Sequence, residues 1–171
     1  MHPTTERLHS LIDTLLGPMT LATTSRGLAG AWFTDQRHYP RPVALGLRDD
    51  RHLPLLIAAQ QVQEFLAGTR QHFELPLDLD DGTPFQQSVW RALLQIPLGT
   101  TRSYADIGAA IGKPSAVRAV GAAVGRNPVS IVVPCHRVVG SNGALTGYAG
   151  GLARKARLLA LEASKGGTIP T

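Results

Sequence analysis

The chain has 171 residues, 43% of them hydrophobic and 17% charged, enough for one ordinary domain or two small ones, each with its own core. Its single cysteine excludes an intramolecular disulfide, and no set of Cys and His residues has metal-ligand spacing, so neither a disulfide framework nor a metal site is expected. The net charge of +5 is unevenly divided: residues 1–84 carry 7 Lys and Arg against 10 Asp and Glu, whereas residues 85–171 carry 10 against 2, with Asp106 and Glu162 the only acids. Basic faces are often only solvated, yet so uneven a surplus suits a polyanionic partner, nucleic acid foremost.

Along the first half, the N-terminus lacks the charged and apolar regions of a signal peptide, and no run approaches the roughly 20 apolar residues of a membrane span. Met19–Thr23 and Leu28–Phe33 flank Ser25-Arg26-Gly27, which predicts a hairpin with glycine supplying a positive φ. Asp35 to Pro54 holds Pro40, Pro42 and several charges without periodicity and reads as loop with short elements. Ala58–Ala67 predicts a helix ended by Gly68, and Phe73–Leu79 alternates as an edge strand around Pro76. Asp80-Asp81-Gly82 is a turn at which the charge balance changes sign, so we place a domain boundary there: an N-terminal α/β domain over 1–80 and a mostly α-helical C-terminal domain over 81–171.

Helix punctuation is clearer in the second half. Thr83-Pro84-Phe85-Gln86 is a capping box with proline at the first helical position, opening a helix through about Gln95. Ser103-Tyr104-Ala105-Asp106 is a second box, for a helix to Ile111 stopped by Gly112, and Ser115 is expected to cap a third helix through about Gly125. Helix, glycine turn, helix is the helix-turn-helix pattern. The third helix, with Ala116, Ala119, Gly121 and Ala122, has very small side chains. They fit close helix packing or a thin helix entering the minor groove, which is only about 6 Å wide. Arg118, its one long side chain, is then a solvated or phosphate-contacting residue, or a wedge replacing an extruded base.

Cys135 follows the apolar stretch Val129–Val133, read as a strand, and a lone cysteine there is ordinarily a small buried hydrophobe. Its neighbours point elsewhere, because Pro134 before it and His136 after it mark a sharp turn that can bring the sulfur to a pocket mouth. A thiol, an imidazole and a carboxylate are the parts of an activated sulfur nucleophile, and the chain offers Cys135, His136 and Glu162. Glu162 lies near the C-terminal end of a helix expected over Leu152 to about Ala163, where the macrodipole disfavours a carboxylate, so a compensating partner is expected. Without the motif, a surface ion pair with Arg157 or Lys165 would serve. Residues from about 164 read as a mobile tail.

Pro134-Cys135-His136-Arg137-Val138, Gly125-Arg126-Asn127-Pro128, Gly147-Tyr148-Ala149-Gly150-Gly151 and Leu158–Glu162 together closely resemble the O6-alkylguanine-DNA alkyltransferases, and the likeness covers essentially all of 83–163. The resemblance implies a ribonuclease-H-like sheet in the N-terminal domain and a helix-turn-helix domain behind it. It implies direct repair: a monomer binds the minor groove of double-stranded DNA bearing O6-alkylguanine, flips the base, and moves the alkyl group irreversibly to Cys135 without a cofactor. A cytoplasmic location follows, at the nucleoid in a prokaryote. By the same resemblance His136 acts through a water as base for Cys135, Glu162 orients the imidazole, Tyr104 donates near guanine N3, Asn127 braces the turn, and Arg118 is the arginine finger. Ser115, Ala116, Ala119, Gly121 and Ala122 would face DNA, and Pro128, Val138, Tyr148, Ala149 and Gly150 would form the substrate pocket. Some relatives bind zinc through N-terminal cysteines, and this chain has none there; a non-repairing branch lacks the nucleophile, which Cys135 supplies. Two other readings compete: a lesion sensor without chemistry, and a cysteine hydrolase of amides or esters, which leaves the basic half unexplained.

Overall fold

The computed structural model describes residues 6–165. A four-stranded sheet of order β3-β2-β1-β4 is built from β1 (Leu8–Ile12), β2 (Met19–Thr24), β3 (Gly27–Phe33) and β4 (Leu47–Arg48). The expected hairpin is β2–β3, antiparallel, with a bulge at Ala22/Thr23. Gly27 holds φ 146° and passes so close to Pro76 that a Cβ would lie 2.4 Å from its carbonyl oxygen, which no side-chain-bearing residue tolerates. β1, absent from the expectation, pairs antiparallel with β2 and parallel with β4, the short strand inside the proline-containing loop.

Helix α1 (Leu53–Leu66) covers this sheet and begins five residues before the expected Ala58, because Pro54 sits in its first turn, where the missing N–H costs nothing. Gly68, at φ 79°, follows its cap as expected. Phe73–Leu79 is not a strand: it makes one parallel bridge, Leu77 to Leu28, and Pro76 has no N–H to extend the ladder.

The C-terminal helices are α2 (Pro84–Leu93), α3 (Tyr104–Ala110), α4 (Val117–Gly125) and α5 (Leu152–Lys165). Both capping boxes form, Thr83 with Gln86 and Ser103 with Asp106. Ser115 does not cap α4. The cap position is Ala116, without a side-chain bond, because the Gly112-Lys113-Pro114 turn delays helix entry by one residue. Helix α5 continues through Ser164 and Lys165, so the expected tail does not begin at 164; its remainder lies outside the described residues.

The apolar stretch Val129–Val133 is also not a strand. It makes one bridge, Val129 to Ala31, and then turns tightly, with Val132 N–H donating to the Ser130 carbonyl across Ile131 at φ 74°. A β-branched residue there is strained by roughly 1–3 kcal/mol. The Asn127 side chain holds the turn closed by donating to the Val133 carbonyl (2.7 Å) and accepting from Val129 N–H (3.0 Å). The loop ends in a 3-10 turn, Cys135–Arg137, and a short strand β6 (Val138–Val139) beside β5 (Arg102–Ser103).

One hydrophobic cluster runs through both halves, from Leu21 and Phe33 of the sheet through Val62 of α1 to Leu93, Val120 and Leu158. Helix α4 is pinned to α2 by the buried Trp90 indole, whose Nε1–H donates to the Ala123 carbonyl at 2.8 Å. Replacing Trp90 with Phe should cost about 1–3 kcal/mol in urea denaturation, through the lost bond and smaller ring. A cost below about 0.5 kcal/mol would show that this bond does not hold α4 in place.

Candidate active site

Cys135 enters its position through Pro134, whose φ of −81° and ψ of 61° form an inverse γ-turn closed by Cys135 N–H on the Val133 carbonyl at 2.8 Å. The residue is 5% exposed, and it lines a cavity of about 220 Å³ with Arg37, His38, Tyr104, Tyr148 and Ala149, roofed by Gly121, Ala122, Val124 and Gly125 of α4. That is smaller than the roughly 300–1,000 Å³ of ordinary ligand sites. A much larger open groove, about 1450 Å³, lies along Arg7, Arg26, Asp78, Asp80 and Asp81, but neither cysteine nor histidine lines it, and Arg7 and Arg26 pair with those aspartates.

His136 and Glu162 are essentially unexposed, and His136 Nε2 meets Glu162 Oε1 at 2.6 Å. The same carboxylate receives a fork from Arg137, Nε on Oε2 and Nη2 on Oε1, both 2.9 Å, while Arg137 Nη1 donates to the Ile96 carbonyl at 2.6 Å. Burial alone would raise the Glu162 pKa, yet the hydrogen bonds from His136 and Arg137 outweigh it and hold the group below its ordinary value. An ionised carboxylate only accepts, so Nε2 carries the imidazole proton. Burial is the largest influence on His136 and, against the pull of Glu162, keeps its pKa below 6.5. The ring is therefore neutral near neutral pH. Its Nδ1, with a free lone pair, has no hydrogen-bond partner among the described residues. The partner expected for Glu162 is this pair, not Arg157 or Lys165.

Burial pushes the Cys135 thiol up to about 11, opposed by the Asn127 amide and the Lys155 charge. Lys155 went unnoticed in the sequence, because a lysine in an amphipathic helix ordinarily faces water. Here it is fully buried and donates to the Val138 (2.5 Å), Thr146 (2.8 Å) and Gly147 (3.3 Å) carbonyls. Three carbonyls converging on one helix position are not visible in a linear pattern.

The remaining candidates divide in two. Tyr104 lies against the cavity with its hydroxyl donating to the Thr146 carbonyl at 3.2 Å, and Tyr148 and Ala149 line it. Pro128, Val138 and Gly150 do not line it. Pro128 is bonded through its carbonyl to Ala31 of β3, Val138 is sealed in the core, and Gly150 packs against Phe33 and Tyr148. Arg118, Ala119 and Ala122 are exposed on α4 with Ser115 just before it, whereas Ala116 and Gly121 are half-buried.

Two family models match in succession: the 6-O-methylguanine DNA methyltransferase ribonuclease-like domain over residues 8–79, and the 6-O-methylguanine DNA methyltransferase DNA-binding domain over 84–164. The chain belongs to the 6-O-methylguanine DNA methyltransferase family. It is 46% identical over 161 residues to the methylated-DNA--protein-cysteine methyltransferase of Mycobacterium tuberculosis, covering 90% of this chain and 91% of that one. It is 61% identical over 106 residues to the constitutive enzyme of that name from Bacillus subtilis, covering 61% of this chain and 64% of that one. The crystal structure of M. tuberculosis OGT in complex with DNA superposes with a TM-score of 0.82 at 44% identity, over 92% of this chain and 94% of that one. The methyltransferase fold is thus a sheet domain followed by a helical DNA-binding domain, as the sequence led us to expect.

The buried pair gives a pH signature. Below pH 6.5 the unfolded chain takes up a proton at His136 that the folded protein refuses, so stability falls from that point downward. Below pH 4.5 the unfolded chain likewise protonates Glu162 first, adding a second loss. In urea titrations the loss from His136 as pH falls below 6.5 should be at most about 1.4 kcal/mol per pH unit and vanish in His136→Asn. Parallel curves for the two proteins would show that His136 does not titrate differently on folding.

Proposed function

We propose that this protein repairs DNA by moving an alkyl group, methyl foremost, from O6 of guanine irreversibly onto Cys135, one group per molecule. The observation that carries the reading is the buried pair of neutral His136 and ionised Glu162 beside the only cysteine, with that cysteine lining a cavity of about 220 Å³ roofed by the small-residue helix α4. The name and DNA complex of the M. tuberculosis relatives support it.

Helix α4 lies in the minor groove, with Ala119 and Ala122 allowing close approach and Ser115, Ala116 and Gly121 completing that surface. Arg118 takes the place of the flipped nucleotide. The flipped base enters the cavity between Tyr104 and the Tyr148–Ala149 wall, with Gly150 packed against Tyr148. The Cys135 proton passes to His136 Nδ1 through a water, and Glu162 stabilises the imidazolium that results. The thiolate forms a bond to the alkyl carbon as the carbon–O6 bond breaks. Its electron pair leaves with guanine, and the Tyr104 hydroxyl meets the charge at N3. Asn127 holds the nucleophile's loop. In this reading the N-terminal domain spans 1–80 and the transfer domain 81–171, and the protein works as a monomer in the cytoplasm, at the nucleoid in a prokaryote. Among the described residues no helix is long and apolar enough to cross a membrane.

Intact-protein mass after equimolar mixing with a duplex carrying one O6-methylguanine tests the reading. One methyl on Cys135, absent from Cys135→Ser, is expected; tight binding with no mass change would make the protein a lesion sensor, and turnover of a small acyl ester would make it a hydrolase. Glu162→Gln should slow transfer about 10²-fold or more. Arg118→Ala should slow repair in duplex DNA more than it weakens nonspecific binding, and equal losses would remove the finger role.

A further inference from the structure

One wall of the Cys135 cavity has no regular structure. Residues 146–150, between β6 and α5, include the lining residues Tyr148 and Ala149. Backbone hydrogen-bond acceptors along this segment are held from three sides. Lys155 takes the Thr146 and Gly147 carbonyls, and Arg37 N–H takes that of Ala149 at 3.0 Å. Arg154, in the first turn of α5, takes that of Gly150 at 3.1 Å through Nη1.

Arg154 does more than the other anchors, because one guanidinium also joins the N-terminal sheet. Its Nε donates to the Leu16 carbonyl at 2.8 Å in the β1–β2 loop, its Nη1 meets Asp35 Oδ1 at 2.7 Å, and the group stacks 4.1 Å from the centre of the Phe33 ring at the end of β3. Gly17 lets it in: a Cβ at that position would lie 2.8 Å from Nη2. Gly150 seats on the same ring, since a Cβ there would stand 3.0 Å from Phe33 and 2.8 Å from Tyr148. The wall, the arginine and the sheet form one packed unit.

We propose that Arg154 is a positioning residue through which the N-terminal sheet fixes the pocket wall Tyr148–Gly150 and thereby sets the acceptance of bulky O6-alkyl groups. This rests on the repair reading above. A methyl group needs only the space next to Cys135, whose backbone is placed by the Pro134 turn and the Asn127-braced loop without a bond to Arg154. A benzyl group must also pack on Tyr148 and Ala149, so its transfer depends on that wall being in place before the base arrives.

The test is the rate constant for transfer to Cys135 from identical duplexes bearing O6-methylguanine or O6-benzylguanine, at a temperature where every variant is folded by circular dichroism. Arg154→Ala should lose about tenfold on benzyl and less than about threefold on methyl, since small displacements of a positioning group cost such factors. Asp35→Asn, which keeps the Leu16, Phe33 and Gly150 contacts, should retain the wild-type ratio. Equal losses on both adducts would mark Arg154 as a general stabiliser and overturn the proposal, as would no loss on either. Should Arg154→Ala not fold, Arg154→Lys, which keeps the cation but not the planar fork, should lower the benzyl-to-methyl ratio about threefold, and an unchanged ratio overturns it. Wild-type protein that accepts neither adduct would instead overturn the repair reading.

Discussion

The Glu162 carboxylate is the constraint on which the rest of the site depends. A buried anion is costly unless its lone pairs are filled, and here three N–H groups from two consecutive residues fill them. The result is a locked arrangement. Arg137 neutralises the charge and reaches on to the Ile96 carbonyl after α2, so α5, the nucleophile's turn and the α2 region are bound through one side chain. Because Arg137 supplies the compensating charge, His136 is left free to stay neutral. Were Glu162 to face His136 alone, burial of a bare anion would favour protonating the imidazole, and its use as a base would be lost.

The resting thiol is a poor nucleophile, and burial is why. For a catalyst that turns over many times this would be a defect. For a protein that spends its only cysteine once, it has a different consequence: a protonated, almost inaccessible sulfur resists oxidation and stray alkylation, which follow thiolate character and exposure. The opposing influences are already in place, with the Asn127 amide and the Lys155 charge both favouring the thiolate and His136 Nδ1 free to accept its proton. On the proposed reading, proton removal waits on a substrate that completes the path.

Local rules carried the helical half well, and failed where distant groups decide the backbone. The two capping boxes at Thr83 and Ser103 are self-contained within four residues, so they are visible in sequence and present in the fold. Ser115 has the right chemistry for a cap, but the preceding proline turn moves the helix start past it. Val129–Val133 has the composition of a buried strand, yet Asn127 bonds both of its ends and bends it into a turn, an effect no periodicity reveals. The site's candidate reacting groups, Cys135, His136 and Glu162, were legible because they sit in recognisable motifs. Arg137 lies in the same motif, but its fork needs the fold to bring α5 beside it. Lys155 and Arg154 are unmarked in the sequence, since basic residues near a helix start carry no signal that the fold buries or stacks them.

The uneven charge along the chain follows from the same division of labour. The basic half must approach a polyanion, so it holds few acids, and of its two Asp106 closes a capping box while Glu162 is buried and paired. Neither projects an unmatched negative charge toward the face that α4 presents. The acidic surplus is confined to the half that supplies the sheet, where Asp78 and Asp80 are matched by Arg26 and Asp35 by Arg154. On the proposed reading attraction to DNA is aimed through α4, and because screening limits such fields to about 10 Å at ordinary salt, the sheet domain can be acidic without weakening it. That separation leaves the sheet free to contribute by contact, through Phe33 and the loops that receive Arg154, and not by charge.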